Sequence, residues 1–184
     1  LLSLLEEKQR RIERRKLHAY YPDTGPLRRE LYAKHLEFFR LGATYKQRLA
    51  LCANRVGKTE GMGGYEMACH LTGQYPTWWE GRRFTRPVVA WVAGETVKDV
   101  RDSIQFKLCG PVDNLGTGLI PGDAIARTTP RSGVADAFDT IHVKHVSGRN
   151  SSLAFKSYDQ GRESFQAADV DVLWLDEEPP LNIY

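Results

Sequence analysis

Apolar positions follow two rhythms along this chain. Over residues 1–20 they recur at helical spacing, with Leu1, Leu5 and Ile12 joined by Leu2 and Leu17 in a loose stripe. Glu6 precedes Arg10 and Glu7 precedes Arg11, the favoured i,i+4 order. The pattern predicts a basic amphipathic helix. Tyr21-Pro22-Asp23-Thr24-Gly25-Pro26 is a turn cluster. Pro26 suits the first residue of a second helix running to about Leu41, with Gly42 placed to end it.

From Leu49 onward, short apolar runs alternate with helical patterns. Residues 49–53 and 87–93 read as buried strands. Residues 58–71 read as a helix loosened by Gly61, Gly63 and Gly64. Each such glycine costs about 1 kcal/mol against Ala unless close packing requires it. Val97, Val100, Ile104 and Leu108 share one helical face, and Gly110-Pro111 stops that helix. Residues 110–138, rich in Gly, Pro, Asp and Thr, read as an irregular excursion. Residues 141–146 and 153–158 read as strands joined by a hairpin or tight loop, and 170–175 as the last buried strand. Strands alternating with helices predict an α/β domain whose sheet is mainly parallel and covered by helices on both faces.

Composition narrows the class. A chain of 184 residues, 41% hydrophobic and 27% charged, suits one α/β domain with or without an arm, and excludes disorder or a coiled-coil rod for the whole. No apolar run approaches about 18 residues, so no membrane span is expected. Leu1 follows no signal-peptide grammar and is read as a cut end. Cys52, Cys69 and Cys109 form no Cys-x-x-Cys pair, which argues against a disulfide framework or a zinc site and for a reducing compartment. His142 and His145 would project to opposite faces of a strand, poor geometry for ligands. The net charge of +3 is uneven: residues 1–48 hold 12 Lys/Arg against 6 Asp/Glu, residues 49–184 hold 14 against 17. A basic piece over residues 1–48 thus precedes a mildly acidic body over 49–184, and the chain is divided into a basic helical arm, residues 1–25, and a domain, residues 26–184. Such a piece is either a solvated helix face or a surface for a polyanion such as nucleic acid.

Two segments carry chemistry. Cys52-Ala53-Asn54-Arg55-Val56-Gly57-Lys58-Thr59 follows an expected strand and opens an expected helix. That is the context of a phosphate-binding loop, in which successive N–H groups and the helix N-terminus attract phosphates. Gly57 lets the backbone approach closely, Lys58 reaches the β- and γ-phosphates, and the Thr59 hydroxyl joins a Mg²⁺ shell. Cys52 stands where the usual pattern has Gly. The second segment is the apolar run ending in Leu175-Asp176-Glu177-Glu178-Pro179-Pro180. A buried strand would carry Asp176 to its carboxyl end, beside the loop of a neighbouring strand. Asp176 would hold Mg²⁺, and Glu177 would polarise a water for attack on the γ-phosphate.

With both motifs present, the chain resembles the ATPase part of the large terminase subunit of tailed bacteriophages. The likeness rests on residues 53–60 (Ala-Asn-Arg-Val-Gly-Lys-Thr-Glu) and 174–180 (Trp-Leu-Asp-Glu-Glu-Pro-Pro), with 158–166 similar to one branch, and spans about residues 27–183. The resemblance implies a RecA-like phosphate-loop NTPase of the additional-strand, catalytic-glutamate (ASCE) class, preceded by a basic helical arm. It implies that ATP and Mg²⁺ are the cofactors. Ala53, Asn54, Arg55, Val56, Gly57, Lys58, Thr59 and Glu60 would bind nucleotide, Thr59 and Asp176 metal, and Glu177 and Arg55 would be catalytic. Arg55 would sense or stabilise the γ-phosphate. His35, where the family often has Gln, would contact adenine, although Phe38 and Phe39 beside it read as core. Motors of this type borrow an arginine from a neighbouring subunit; Arg162 is the candidate, with Arg127, Arg131 and Arg149 as competitors.

The implied activity is ATP hydrolysis driving double-stranded DNA into procapsids. The implied partners are the small terminase subunit, the portal ring and sibling subunits in a ring, with no membrane. The host cytoplasm is the expected setting. The family's complete protein continues past the Asp-Glu strand into a coupling segment and a nuclease, which these residues do not include. Two rivals remain: a RecA-like helicase domain, which would need a second motor domain, and a fragment that binds nucleotide without hydrolysing it.

Overall fold

The computed structural model describes residues 3–7, 15–53, 55–166, 169–181 and 183. Five strands form one sheet: β1 (Val89–Gly94), β2 (Ile125–Pro130), β3 (Phe138–Lys144), β4 (Asn150–Ser157) and β5 (Val172–Leu175), in the order β2-β3-β4-β1-β5. β1 is parallel to both β4 and β5, whereas β2–β3 and β3–β4 are antiparallel. The sheet is therefore mixed, which corrects the expectation of a mainly parallel one. The reason is connection length. Only residues 145–149 link β3 to β4, too few for a parallel crossover, which needs a dozen or more. β2 arises inside the stretch expected to be irregular. Its Arg127, Thr129 and Pro130 are exposed, so hydropathy carried no strand signal there, and Pro130 is tolerated because β2 is an edge.

Around the sheet lie α1 (Lys16–Ala19), α2 (Ala33–Leu41) and two longer helices. The first, α3, begins as a wide-turned π segment, Lys58–Gly64, and continues as Tyr65–Thr72. The second, α4, runs through Val97–Asp99, Val100–Gln105 and Phe106–Cys109. Thr96 caps it by accepting a bond from the Asp99 N–H, and Gly110, at φ 84°, ends it. Met67, Ala68 and Leu71 of α3 and Ile104 and Leu108 of α4 share one core with Ala90 and Val92 of β1, Ile141 and Val143 of β3, and Leu153 and Phe155 of β4. β1 and β5 are also tied at their starts. Arg86 makes a two-pronged pair with Asp171 (3.0 and 2.5 Å), whose carboxylate in turn accepts the Val89 N–H (2.9 Å).

Leu17 and Tyr21 are buried in that same core, so the later part of the expected arm is packed into the body. Residues 3–7 are helical with Leu4 and Leu5 exposed, and the centre of the expected first helix lies outside the described residues. The second helix starts later than expected, as a 3₁₀ turn at Arg29–Tyr32 ahead of α2.

A second correction concerns residues 49–53. They form no strand, and Leu49 and Leu51 are 81% and 88% exposed. A strand is stable only when its backbone groups find a ladder. β5 pairs on one edge only, with β1, and among the described residues no strand fills its other edge. What holds this segment is its first flank. Arg48 donates to the Phe38 carbonyl (2.8 Å), pairs with the buried Glu66 (3.1 Å) and lies over the Phe38 ring.

The glycines of α3 are accounted for by packing. A Cβ on Gly63 would stand 2.3–2.7 Å from the Trp174 indole of β5. Gly63→Ala should therefore destabilise the chain by about 1–3 kcal/mol, the range for overpacking a core. The double variant with Trp174→Leu should lose less than the two single losses added. Urea unfolding followed by circular dichroism measures both, and strict additivity would reject the contact.

Candidate functional site

The turn before α3 and the end of β5 meet in space. Gly57 has φ 83°, a left-handed conformation open to glycine at little cost, and from there the chain turns into α3. The turn closes with the Gly61 and Met62 N–H groups both donating to the Gly57 carbonyl (2.7 and 3.2 Å). Lys58 and Thr59 are the first residues of α3. At β5, the Asp176 N–H continues the ladder to the Ala93 carbonyl (2.8 Å), which aligns the residues that follow.

Across this junction Lys58 Nζ donates to Glu177 Oε1 (2.7 Å). The Thr59 hydroxyl lies 3.3 Å from both oxygens of Asp176. Residues 117 and 119 positions apart in sequence are thus in polar contact. Burial pushes the Asp176 carboxyl above its usual range, and repulsion from Glu177 adds to this; the Thr59 bond, Lys58 and Lys107 oppose it. The hydrogen bond to Glu177 holds the Lys58 ammonium more basic than usual.

The remaining predicted residues divide. Ala53, Arg55 and Val56 are exposed on the loop, and Asn54 lies outside the described residues. Arg55 adopts φ 63° and Glu177 φ 67°, two of four non-glycine residues with positive φ among those described. A non-glycine residue in this region costs roughly 1–2 kcal/mol, and such strain concentrates where geometry matters for function. Glu60 points elsewhere than the loop: it is paired with Lys16 and accepts from the Tyr20 hydroxyl (2.6 Å). His35 is 7% exposed, with Nε2 3.1 Å from the Val56 carbonyl and Nδ1 2.8 Å from the Tyr21 hydroxyl. Both ring nitrogens are thereby committed to protein groups. Arg162 is exposed at the start of a 3₁₀ turn, Arg162–Phe165. Among its competitors, Arg131 is engaged with Asp139, the Phe155 carbonyl and Gln160, and Arg127 with His142, while Arg149 is exposed.

Sequence reasoning gave no role to three residues that support the site. The buried Tyr158 hydroxyl donates to the Glu177 and Asp176 carbonyls (3.1 and 3.3 Å), securing the strained backbone at β5's end. Lys107 on α4 contributes positive potential at Asp176 and Glu60. Tyr21 reaches from the turn after α1 to the Gly61 carbonyl (2.5 Å). None leaves a local signal, because each acts over 18 or more positions.

The oxygen donors at Thr59 and Asp176 suit a hard divalent cation. Mg²⁺ in particular needs only one or two protein oxygens, with phosphate and water completing its shell. The loop N–H groups and Lys58 suit a polyphosphate. No described helix is long and apolar enough to cross a membrane.

An α/β fold with a turn-to-helix lysine facing strand-end carboxylates is consistent with a nucleotide-binding protein. Residues 49–184 match the family model "Terminase large subunit, T4likevirus-type, N-terminal". The chain belongs to the terminase large-subunit family. It is 34% identical, over an alignment of 204 positions covering all of this chain, to the terminase large subunit of Salmonella phage P22. It spans 39% of that relative's length. No solved structure matches the chain.

A carboxyl with a raised native pKa binds its proton more tightly folded than unfolded. Stability therefore falls as pH rises from near the unfolded value of 3.8 through the native one. Asp176→Asn removes that penalty and should melt higher than the unsubstituted chain at pH 7, with the gain vanishing below 3.8. Thermal melts across pH check this, and equal melting temperatures at pH 7 would reject burial as the dominant force on Asp176.

Proposed function

We propose that this chain is a RecA-like phosphate-loop ATPase unit of a phage DNA-packaging motor. The observation that carries the reading is the convergence of Lys58 and Thr59 with Glu177 and Asp176. A cation suited to phosphate, a hydroxyl and a carboxylate suited to a metal, and a candidate base are in polar contact with one another. Membership of the terminase family supports the same reading.

The chemistry follows from these side chains. The 53–60 loop receives the β- and γ-phosphates on its N–H groups, and Lys58 exchanges its Glu177 partner for phosphate oxygens. Thr59 and Asp176 would hold magnesium, which supplies charge neutralisation at the phosphate oxygens. Glu177, released from Lys58, accepts a proton from the attacking water. Arg55, exposed on the same loop, is in reach of the charge that develops on the transferred phosphoryl group. In the whole motor Arg162, exposed on its 3₁₀ turn, is the candidate to complete a neighbour's site. Double-stranded DNA, the small subunit, the portal ring and sibling copies are the partners this function requires, in the host cytoplasm. DNA is held mainly by its phosphates, which makes binding salt-dependent.

Lys58→Ala should abolish ATP binding by this chain, measured by calorimetry. Glu177→Gln should retain binding while single-turnover hydrolysis falls by ~10²–10⁴, the usual loss of a positioned base. Normal binding by Lys58→Ala would sink the phosphate-loop reading. Binding without any turnover by the unsubstituted chain would make it a nucleotide-binding module instead. For DNA, replacing Lys8, Arg10, Arg11 and Arg14 by Gln should lower the slope of log affinity against log salt by roughly 0.9 for each phosphate no longer neutralised. An unchanged slope would leave those four cations as solvated surface.

A further inference from the structure

We propose that Tyr21 and His35 are positioning residues that clasp the second half of the phosphate loop, through the carbonyls of Val56 and Gly61 on either side of Gly57–Glu60. The proposal rests on the reading of residues 53–60 as a phosphate loop, and it gives His35 a task other than touching the base of a nucleotide.

The geometry is specific. Tyr21 is 5% exposed and His35 7%. The Tyr21 hydroxyl donates to the Gly61 carbonyl at 2.5 Å, and His35 Nε2–H donates to the Val56 carbonyl at 3.1 Å. The two clasping side chains meet each other, Tyr21 Oη to His35 Nδ1 at 2.8 Å. The fit is close: a Cβ on Gly61 would stand 3.1 Å from Tyr21 Oη and 3.3 Å from His35, and one on Gly57 3.4 Å from His35. The clasp is itself held firmly. Tyr21 sits at φ 54°, a conformation that persists only when its surroundings impose it, and its ring packs edge-on against Tyr32, Phe39, Tyr65 and Trp78.

The functional consequence comes from the trans peptide. The carbonyl of Val56 and the N–H of Gly57 lie on opposite sides of one planar unit. With the carbonyl turned to His35, the Gly57 N–H is directed to the opposite side, away from the imidazole. The bond to Val56 is thus a way of presenting the Gly57 amide, while the bond to Gly61 fixes a peptide whose own N–H, that of Met62, is spent on the Gly57 carbonyl.

Proton counting adds a second feature. Both backbone carbonyls only accept, so His35 Nε2 must carry a proton and Tyr21 must spend its single proton on Gly61 or on His35 Nδ1. With a neutral imidazole, one hydroxyl proton serves two acceptors. With an imidazolium, Nδ1–H donates to Tyr21 Oη, and all three bonds form together. The ionisable groups in ring contact with His35 are Tyr21 and Tyr32, while Lys58 and Glu60, on the first turn of α3, are paired with Glu177 and Lys16. Burial lowers the His35 pKa and the Val56 carbonyl opposes that shift, so the fully bonded clasp forms only on acidification beyond the ordinary imidazole range.

The test uses this chain with Tyr21→Phe, His35→Ala and His35→Gln, and two readouts. Gln donates to Val56 and accepts from Tyr21 but does not titrate, so it imitates the neutral imidazole. In the nucleotide-free chain, amide hydrogen exchange over residues 57–62 should quicken in His35→Ala and Tyr21→Phe while core strands keep their protection. ATP affinity should fall roughly two- to tenfold in both variants, the worth of one or two hydrogen bonds. His35→Gln should match the unsubstituted chain near pH 8 and lack part of its gain in affinity toward pH ~5.5, below the ordinary imidazole pKa; protonation of ATP is common to both and cancels in the comparison. Superimposable pH profiles, or exchange at 57–62 that ignores His35→Ala, would overturn the clasp. Should exchange respond while the unsubstituted chain binds no nucleotide, the clasp stands and the phosphate-loop reading falls.

Discussion

The close approach of α3 to β5 at Gly63 and Trp174 is the constraint on which the site depends. A glycine there lets an indole lie where any larger residue would have its first side-chain atom. That approach fixes the start of α3 beside the end of β5. Lys58 and Thr59 follow from the first, Asp176 and Glu177 from the second, and the 2.7 Å and 3.3 Å contacts between them are its result. β5 is held to its side of the junction by β1 and by the Arg86–Asp171 pair at its other end. A wider helix-to-strand spacing would leave four correctly chosen side chains out of reach of one another.

Backbone strain has been collected at the same place. Of the four described non-glycine residues with positive φ, Tyr21, Arg55 and Glu177 all belong to the site or to its support. Each conformation costs free energy, so each needs neighbours that over-determine it. Tyr158 does this for Glu177 through two carbonyls, and the aromatic nest does it for Tyr21. The loop itself is exposed, whereas Tyr21 and His35, which bond to the carbonyls of Gly61 and Val56, are buried.

What was legible in the sequence was what is encoded locally. The Gly57-Lys58-Thr59 turn and the apolar run into Asp176-Glu177 carry their meaning within a few residues, and both occupy the expected ends of a helix and a strand. The helix over 97–109 was legible from its apolar face and its glycine stop. Elements decided by distant partners were not. Residues 49–53 have a strand's composition but no described ladder to join, and β2 has a ladder but a polar composition. His35 and Tyr21 looked like a carried-over base contact and a turn residue. Their bonds to a loop 21 and 40 positions away arise only once the chain is folded. The same holds for Tyr158, which the similarity of residues 158–166 marked without giving it a task.

The Lys58–Glu177 contact also bears on which solutes the proposed phosphate loop would admit. An ammonium already satisfied by a carboxylate offers little to a small monovalent anion, because chloride would have to displace a partner tethered to the same molecule. A polyphosphate competes on different terms. It brings several negative oxygens at once, engages the loop amides as well as the lysine, and offsets the loss of one half-exposed ion pair with many contacts. On the proposed reading, Lys58 is thus internally neutralised against ordinary salt, and the selectivity of the phosphate loop would lie in demanding a ligand of high charge density.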